Sequence, residues 1–421
     1  MLTRRTFLAA AAATAAGAWT PIARAAESTR KKIAFLGTEV REHSHAQHFL
    51  DRLTLGYGWK GVWQPPRLDV ASVFIDQFPE GDLARGRVER HHLKLYPTIS
   101  EALTLGGDKL AVDGVVLIGE HGKYPQNEKG QYLYPRYEFF KEIVKVFEAS
   151  GRAVPVFSDK HLSTTWARCK EMVDDSKRLG FPFLAGSSLP VTWRLPAVEM
   201  PHGTPLVESV CVGYGGVDSY DFHGLETAQC MSERRKGGEV GIRSVHALRG
   251  EPMWEFLAAP DRKVTRRLMA SALSRSHTLP VKEGYVEDPI SVEWARKVLP
   301  DTLAYFIEHR DGFRTTLFLA SIQDFNYAGL RGDTDQIISC QMYLPMPGHS
   351  ATTADFFHPL VRHIETMILE NRAPYPVERT LLTSGMTMAA VDSIFKGYTQ
   401  VDTPEMQVVY QAPQKSLFWQ E

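Results

Sequence analysis

The sequence predicts an α/β chain in two parts: a doubly wound parallel sheet, then an α+β part on a largely antiparallel, open sheet. Three observations predict it. From residue 33 to 188, short apolar runs alternate with amphipathic stretches at the spacing of βαβ units. Beyond residue 200 the rhythm changes to runs that pair locally, with Asp311-Gly312 as a hairpin turn between two of them. With 421 residues, 43% of them hydrophobic, the chain is long enough for two cores.

The elements follow in order. "KKIAFLG" opens with the apolar run Ile33-Ala34-Phe35-Leu36 and reads as the first strand. Ser44 and Gln47 have capping-box spacing, so a helix is expected to begin at His45. Ala46, Phe49, Leu50 and Leu53 give it one apolar face, and His45, His48 and Arg52 a neighbouring polar stripe. Residues 55–68, rich in Gly, Pro and aromatics, read as an inserted loop. "VASVFID" (70–76) is the second strand, ending in Asp76. A helix near 81–91, a short strand "LKLYP" and the helix "TISEALTL" come next.

The strands 112–122, 153–161 and 181–188 alternate with helices 134–151 and 163–180. In the second part, 207–216, 241–250, the two halves of 304–320, and 336–346 read as strands. Helices are expected at 222–238 and 356–371, with a closing helical segment after that. "ERRKGGE" (233–239) reads as a charged, solvated helix end with a glycine stop.

Composition narrows the function classes. The net charge is -1 and charged residues are 23%, so no basic excess points to nucleic acid. No stretch after the leader reaches the roughly 18 apolar residues of a spanning helix. Residues 1–25 carry Arg4-Arg5, a mild apolar run and Ala23-Arg24-Ala25, the pattern of a twin-arginine export signal. A periplasmic or otherwise extracytoplasmic location is therefore expected. Cys169, Cys211, Cys230 and Cys340 have neither metal-ligand nor C-x-x-C spacing and read as buried thiols.

The first strand and helix frame a candidate phosphate site. A G-x-G-x-x-G turn would hold a pyrophosphate on the helix N-terminus. Here only Gly37 of that pattern is present, and Glu39 and Glu42 stand at the other two glycine positions. A carboxylate about 4 Å from a pyrophosphate would repel it by roughly 4 kcal/mol at an effective dielectric of about 20. Both carboxylates can turn to solvent, and Arg41 can offset one. Asp76, a strand-end acid, is placed to hold ribose hydroxyls.

Several segments resemble the glucose–fructose oxidoreductase, inositol dehydrogenase and rhizopine-catabolism (Gfo/Idh/MocA) family, over residues 31 to about 400. "TISEALTL…VDGVVLIGEHG" is similar to its hydrophobic-E-x-L…hydrophobic-D-x-V segment. "ASGRAVPVFSDKHLS" is similar to its segment ending in E-K-P, with Lys160 at the lysine and His161 at the proline. "DSYDFHGLETAQCM" is similar to its D-x-x-x-H-x-x-D helix start, with His223 at the histidine and Ser219 at the first aspartate.

The resemblance implies a Rossmann-like NAD(P)-binding domain over 31–186 and an α+β substrate or oligomerisation domain over 187–421. It implies NAD or NADP as cofactor and a sugar, glycoside or polyol as substrate. Gly37, Thr38, His45, Asp76, Glu120, His121, Asp159 and Lys160 would lie on the cofactor side. Lys160 and His223, with Asp221 and Tyr220, would carry the proton and alkoxide chemistry, and Tyr214 with Tyr220 would line the sugar site. A homo-oligomer is expected.

The same strand ends allow a second reading. Glu39, His43 and His45, then Glu120-His121, then Asp159-Lys160-His161 fall at successive carboxyl ends. These converge on one crevice in an open α/β sheet. They would suit a metal-dependent or cofactor-independent lyase or hydrolase. A non-catalytic carbohydrate-binding relative is the third reading.

Overall fold

The computed structural model describes residues 30–280, 291–345 and 353–420, so the expected leader lies outside the described residues. Lys31–Glu421 form one compact unit. Its first part contains β1 (Lys32–Gly37), α1 (His45–Leu55), a hairpin of β2 (Tyr57–Trp59) and β3 (Val62–Gln64), β4 (Asp69–Ile75), α2 (Ala84–Arg90) and α3 (Ile99–Thr104). It continues through β5 (Gly114–Ile118), α4 (Arg136–Ser150), β6 (Val156–Asp159), α5 (Trp166–Leu179) and β7 (Phe183–Gly186).

These build a five-stranded sheet in the order β4-β1-β5-β6-β7, parallel throughout. Its strands are apolar on both sides because helices cover both faces. Ala34, Leu36, Val115 and Leu117 pack against α3, α4 and α5. Ile33, Phe35, Val116 and Ile118 pack against Phe49, Leu50 and Leu53 of α1.

The second part contains β8 (Arg194–Leu195), β9 (Leu206–Tyr214), α6 (Tyr220–Ser232), β10 (Ile242–Arg249), α7 (Glu251–Ala258), α8 (Lys263–Leu273) and α9 (Val292–Val298). It ends with β11 (Leu303–His309), β12 (Arg314–Ala320), β13 (Phe325–Arg331), β14 (Ile337–Met342), α10 (Phe357–Glu370), α11 (Glu378–Phe395) and β15 (Val401–Asp402). Its sheet runs β15-β10-β11-β12-β9-β13-β14-β8. Only the β12–β9 pair is parallel.

Helix α6 is buried along all but its first residue. Gly224 brings it close to the sheet, since a Cβ there would stand 2.5 Å from Leu317. On the opposite face, α7, α8 and α9 pack against Val210, Val212, Phe306 and Phe318.

The parallel first sheet and largely antiparallel second sheet agree with the expected fold class, and differences from the expected elements have local causes. The 55–68 loop holds the β2–β3 hairpin, where Trp59 packs on Trp419 at 4.2 Å. "LKLYP" makes a single bridge, Val73–Leu95, and no strand. Helix α10 returns from far along the chain to cover the first sheet beside α1. There Tyr57 donates to Glu365 at 2.6 Å.

That return buries the polar stripe of α1: Arg52 donates to the carbonyls of Thr353 and Ala354, and His48 stacks on Phe357. "ERRKGGE" is not solvated. Arg379 of α11 forks onto Glu233, and Arg235 bridges Glu239 and Asp311 at 2.9 Å each. Helix α6 therefore ends at Ser232, ahead of the glycines. The four cysteines are buried free thiols, as expected.

Candidate functional site

The site lies at the carboxyl ends of the parallel strands. Beyond β1, the turn 38–44 is tied down from within. Thr38 donates its hydroxyl to the Glu120 carbonyl at 2.6 Å. Ser44 Oγ accepts from the Gln47 amide as the expected cap, but Gln47 Oε1 reaches back to the His43 amide, one residue short of closing the capping box, because the Ser44 amide donates to the Arg41 carbonyl. Glu39 accepts from Arg41 at 2.6 Å. The side chain of Glu42 is 82% exposed. The repulsion expected of these two acids is thus offset at one and turned to solvent at the other.

The ends of β5 and β6 supply the reactive groups. His121 and Lys160 both have left-handed backbone, at φ 71° and 66°, a conformation that costs energy in any residue but glycine. The fold holds Lys160 there through its amide, which donates to the Gly186 carbonyl at 3.2 Å. Its Nζ lies 2.8 Å from His223 Nε2 and 4.0 Å from Glu120. Arg136 reaches the other Glu120 oxygen at 3.3 Å.

Burial alone would raise the Glu120 carboxyl, but the Lys160 and Arg136 cations hold it below the usual carboxylate range. Burial, then Lys160, pushes His223 well below the ordinary histidine value. Burial pushes His121 down to about 3, and burial with Arg52 does the same for His48. These rings are neutral at pH 7.

A cavity of about 210 Å³ opens here. It is lined by five imidazoles, His43, His45, His48, His121 and His223, together with Ser188, Tyr220, Leu344, Phe356 and Phe357. His45 Nδ1 is 2.6 Å from Asp159 Oδ2. Asp159 Oδ1, His48 Nε2, His121 Nε2 and His223 Nδ1 are buried without a partner among the described residues. Such orphans are costly unless a ligand satisfies them.

The fold thus gathers His45, Glu120, His121, Asp159, Lys160, Tyr220 and His223. Lys160 meets the cavity through His223 and does not line it. Tyr214 packs edge-on against Tyr220 at 4.8 Å.

Three expected residues are placed elsewhere. Asp221 accepts from the amides of Asp218, Ser219 and Phe222 and from Tyr305, so it fastens the start of α6 and does not line the cavity. Gly37 is packing space between β4 and α1, since a Cβ there would meet Ile75 at 3.1 Å. Asp76, at the end of β4, accepts from Tyr124 at 2.6 Å.

Sequence reasoning missed His48, Ser188 and the pair Phe356-Phe357 as cavity walls. His48 was legible as the i+3 neighbour of His45, whereas the phenylalanines arrive through the long-range return of α10. Among the described residues, no three His, Cys, Asp or Glu side chains are placed to hold a metal ion. The metal-dependent reading has no ligand set here. A larger cavity, about 690 Å³, opens at the ends of β9 and β12 beside Arg249, Asp301 and Gln323. It lacks histidine and every catalytic candidate.

The expected dinucleotide fits these strand ends. The orphaned imidazole nitrogens and Asp159 oxygen call for a polar ligand at the reactive end. The start of α1 with Arg41 would hold a pyrophosphate. The 210 Å³ cavity is smaller than a whole dinucleotide, so it would take one ring of it. The segment 121–134 crosses the end of β4, where Gln77 exchanges hydrogen bonds with Lys123. A ribose there would compete with Tyr124 for Asp76 Oδ2.

No family model and no curated protein matches this sequence. Solved structures do. GenD2 from gentamicin A biosynthesis, in complex with NAD, is 14% identical with a TM-score of 0.55, covering 89% of this chain and 96% of its own. Myo-inositol dehydrogenase from Lactobacillus casei, in complex with NAD(H) and myo-inositol, is 13% identical with a TM-score of 0.51, covering 89% and 97%. A probable dehydrogenase from Thermotoga maritima is 12% identical with a TM-score of 0.51, covering 88% and 98%. Likeness at such identities is likeness of fold: this chain has the two-sheet fold of these dehydrogenases, the fold that the Gfo/Idh/MocA resemblance implied.

Proposed function

We propose that the protein is an exported NAD(P)-dependent oxidoreductase that acts on a hydroxyl-bearing carbon of a sugar, glycoside or polyol. The observation that carries the reading is the buried Lys160–His223 contact at the carboxyl ends of the parallel strands. It supports the reading because it joins the two residues singled out by the resemblance to the edge of an imidazole-lined cavity. The fold shared with the NAD-bound dehydrogenases above supports it further.

Oxidising an alcohol removes a hydride and a proton; the nicotinamide ring supplies the hydride acceptor when bound. The chain's own residues do the rest. The unpartnered imidazole nitrogens meet substrate hydroxyls, the Lys160–His223 pair stabilises negative charge on the reacting oxygen, and Leu344, Phe356 and Phe357 exclude water. His45, His121, Glu120 and Asp159 frame the nicotinamide end, and Thr38 and Arg41 the phosphate end.

The test is direct. Protein purified natively from the cytoplasm is denatured and the supernatant assayed for nicotinamide nucleotide, alongside calorimetry with NAD(H) and NADP(H). Released nucleotide or micromolar binding is expected, and the absence of both refutes the reading. Export is checked by fractionation with Arg4→Lys and Arg5→Lys, which should retain the protein in the cytoplasm. The proposed homo-oligomer is checked by light scattering.

A further inference from the structure

The tautomers of the cavity histidines are fixed by their partners. A lysine ammonium carries donors only, so at 2.8 Å the Lys160 Nζ donates and His223 Nε2 accepts. His223 is a neutral ring, so its one proton sits on Nδ1, which is buried without a partner in the cavity wall. A ring in that state offers a donor to the cavity and has no lone pair left for a proton.

The same holds for His121. Arg41 Nη2 lies 3.3 Å from its Nδ1 and can only donate, which leaves the proton on Nε2. His45 is the reverse case. Its Nδ1 faces a carboxylate oxygen of Asp159 at 2.6 Å, which can only accept, so Nδ1 carries a proton and, in the neutral ring, Nε2 has the lone pair. Among the three cavity imidazoles whose tautomer a partner fixes, His45, His121 and His223, it is His45 that has a lone pair to offer.

We infer that His45, oriented by Asp159, is the base that takes the hydroxyl proton, and that His223 donates a hydrogen bond to the same oxygen. The inference rests on the dehydrogenase reading and deepens it. The O–H bond breaks and its proton goes to His45 Nε2. The freed electron pair closes the C=O bond as the carbon's hydride leaves to the nicotinamide nucleotide. Asp159, 1% exposed, holds the ring and stabilises the imidazolium that forms without taking the proton itself. Lys160 keeps His223 in its donor state. His45 is the catalytic residue; Asp159 and Lys160 are positioning residues.

Two-bond proton–nitrogen spectra of histidine-labelled protein read the tautomers with neither nucleotide nor substrate, His45→Gln and His223→Gln serving for assignment. Proton on Nδ1 is expected in both rings. Asp159→Asn, whose amide can donate to Nδ1, should move the His45 proton to Nε2. His45→Gln should lose about 10²–10⁴-fold in kcat at saturating nucleotide. Added imidazole should restore part of the activity of His45→Gly and none of that of His223→Gly.

A His45 proton on Nε2 in the parent, a His45→Gln kcat within threefold of it, or imidazole rescue confined to His223→Gly overturns the inference. If the parent binds no nucleotide and turns over no polyol, the dehydrogenase reading fails, and the spectra still judge the tautomers.

Discussion

Tyr124→Phe tests the placement of the nucleotide. In the folded chain the phenol donates to Asp76 Oδ2 at 2.6 Å, a charge-assisted bond. A ribose gripping both carboxylate oxygens would compete with that bond. Hydrogen bonds to charged groups contribute about 1.5–3 kcal/mol, and the lower end applies because Asp76 is exposed at the strand end. Removing the competing hydroxyl should therefore tighten NAD(H) by about tenfold, on the order of 1.4 kcal/mol. The phenyl ring keeps its edge contact with Tyr134, so the fold of the 121–134 segment is retained. Calorimetry on parent and variant at one ionic strength measures it. Unchanged or weaker binding would show that Asp76 does not meet the ribose.

Other outcomes follow from the same geometry. Arg379→Met removes the cation paired with buried Glu233, leaving it the Tyr410 hydroxyl, and should cost about 3–5 kcal/mol in chemical denaturation. Gly186→Ala puts a Cβ 2.5 Å from Glu226 Oε2 at φ 118°, and should cost about 1–3 kcal/mol while lowering kcat through the Lys160 turn that Gly186 anchors. Acidification should destabilise the fold. His48, His121, His161 and His223 are held neutral by burial, so below pH 6.5 the unfolded chain takes up protons that the fold refuses. Burial lifts Asp218 and Glu226 to about 7, so these two acids are already protonated in the fold and oppose the trend down to about pH 4.5. Burial also depresses His358 and His363 and raises Asp221 and Glu365, and the depressed histidines outnumber the raised acids, so stability falls as pH drops from about 6 to 4.5. Urea midpoints that stay level or rise over that range would contradict it.

The parallel sheet was legible because its strands are mostly apolar runs ending in polar residues, and α1, α3, α4 and α5 each carry a cap at one end. Ser44 with Gln47 marks the start of α1 within one residue. The site was legible in part for the same reason: Glu120-His121 and Asp159-Lys160 stand at strand ends, and strand ends converge. The charge state of "ERRKGGE" was not legible. Whether Glu233 is solvated depends on Arg379, some 150 residues away, and local sequence holds no record of that distance. The roles within the site were equally hidden, since Asp221 differs from its neighbours only in the four donors that fold around it.

By itself the sequence determined the strand–helix alternation of the parallel part, the two kinds of sheet, the degenerate turn at Glu39 and Glu42, and the buried thiols. Each follows from periodicity or composition within a short window. Only the tertiary structure decided that Arg41 neutralises Glu39, that α10 closes the cavity with Phe356 and Phe357, that Tyr124 guards Asp76, and which ring nitrogen of His45 and His223 bears a proton. A histidine's role is set by what its two nitrogens touch, and Asp159 and Lys160 reach His45 and His223 only after strands, helices and loops from both halves of the chain have packed.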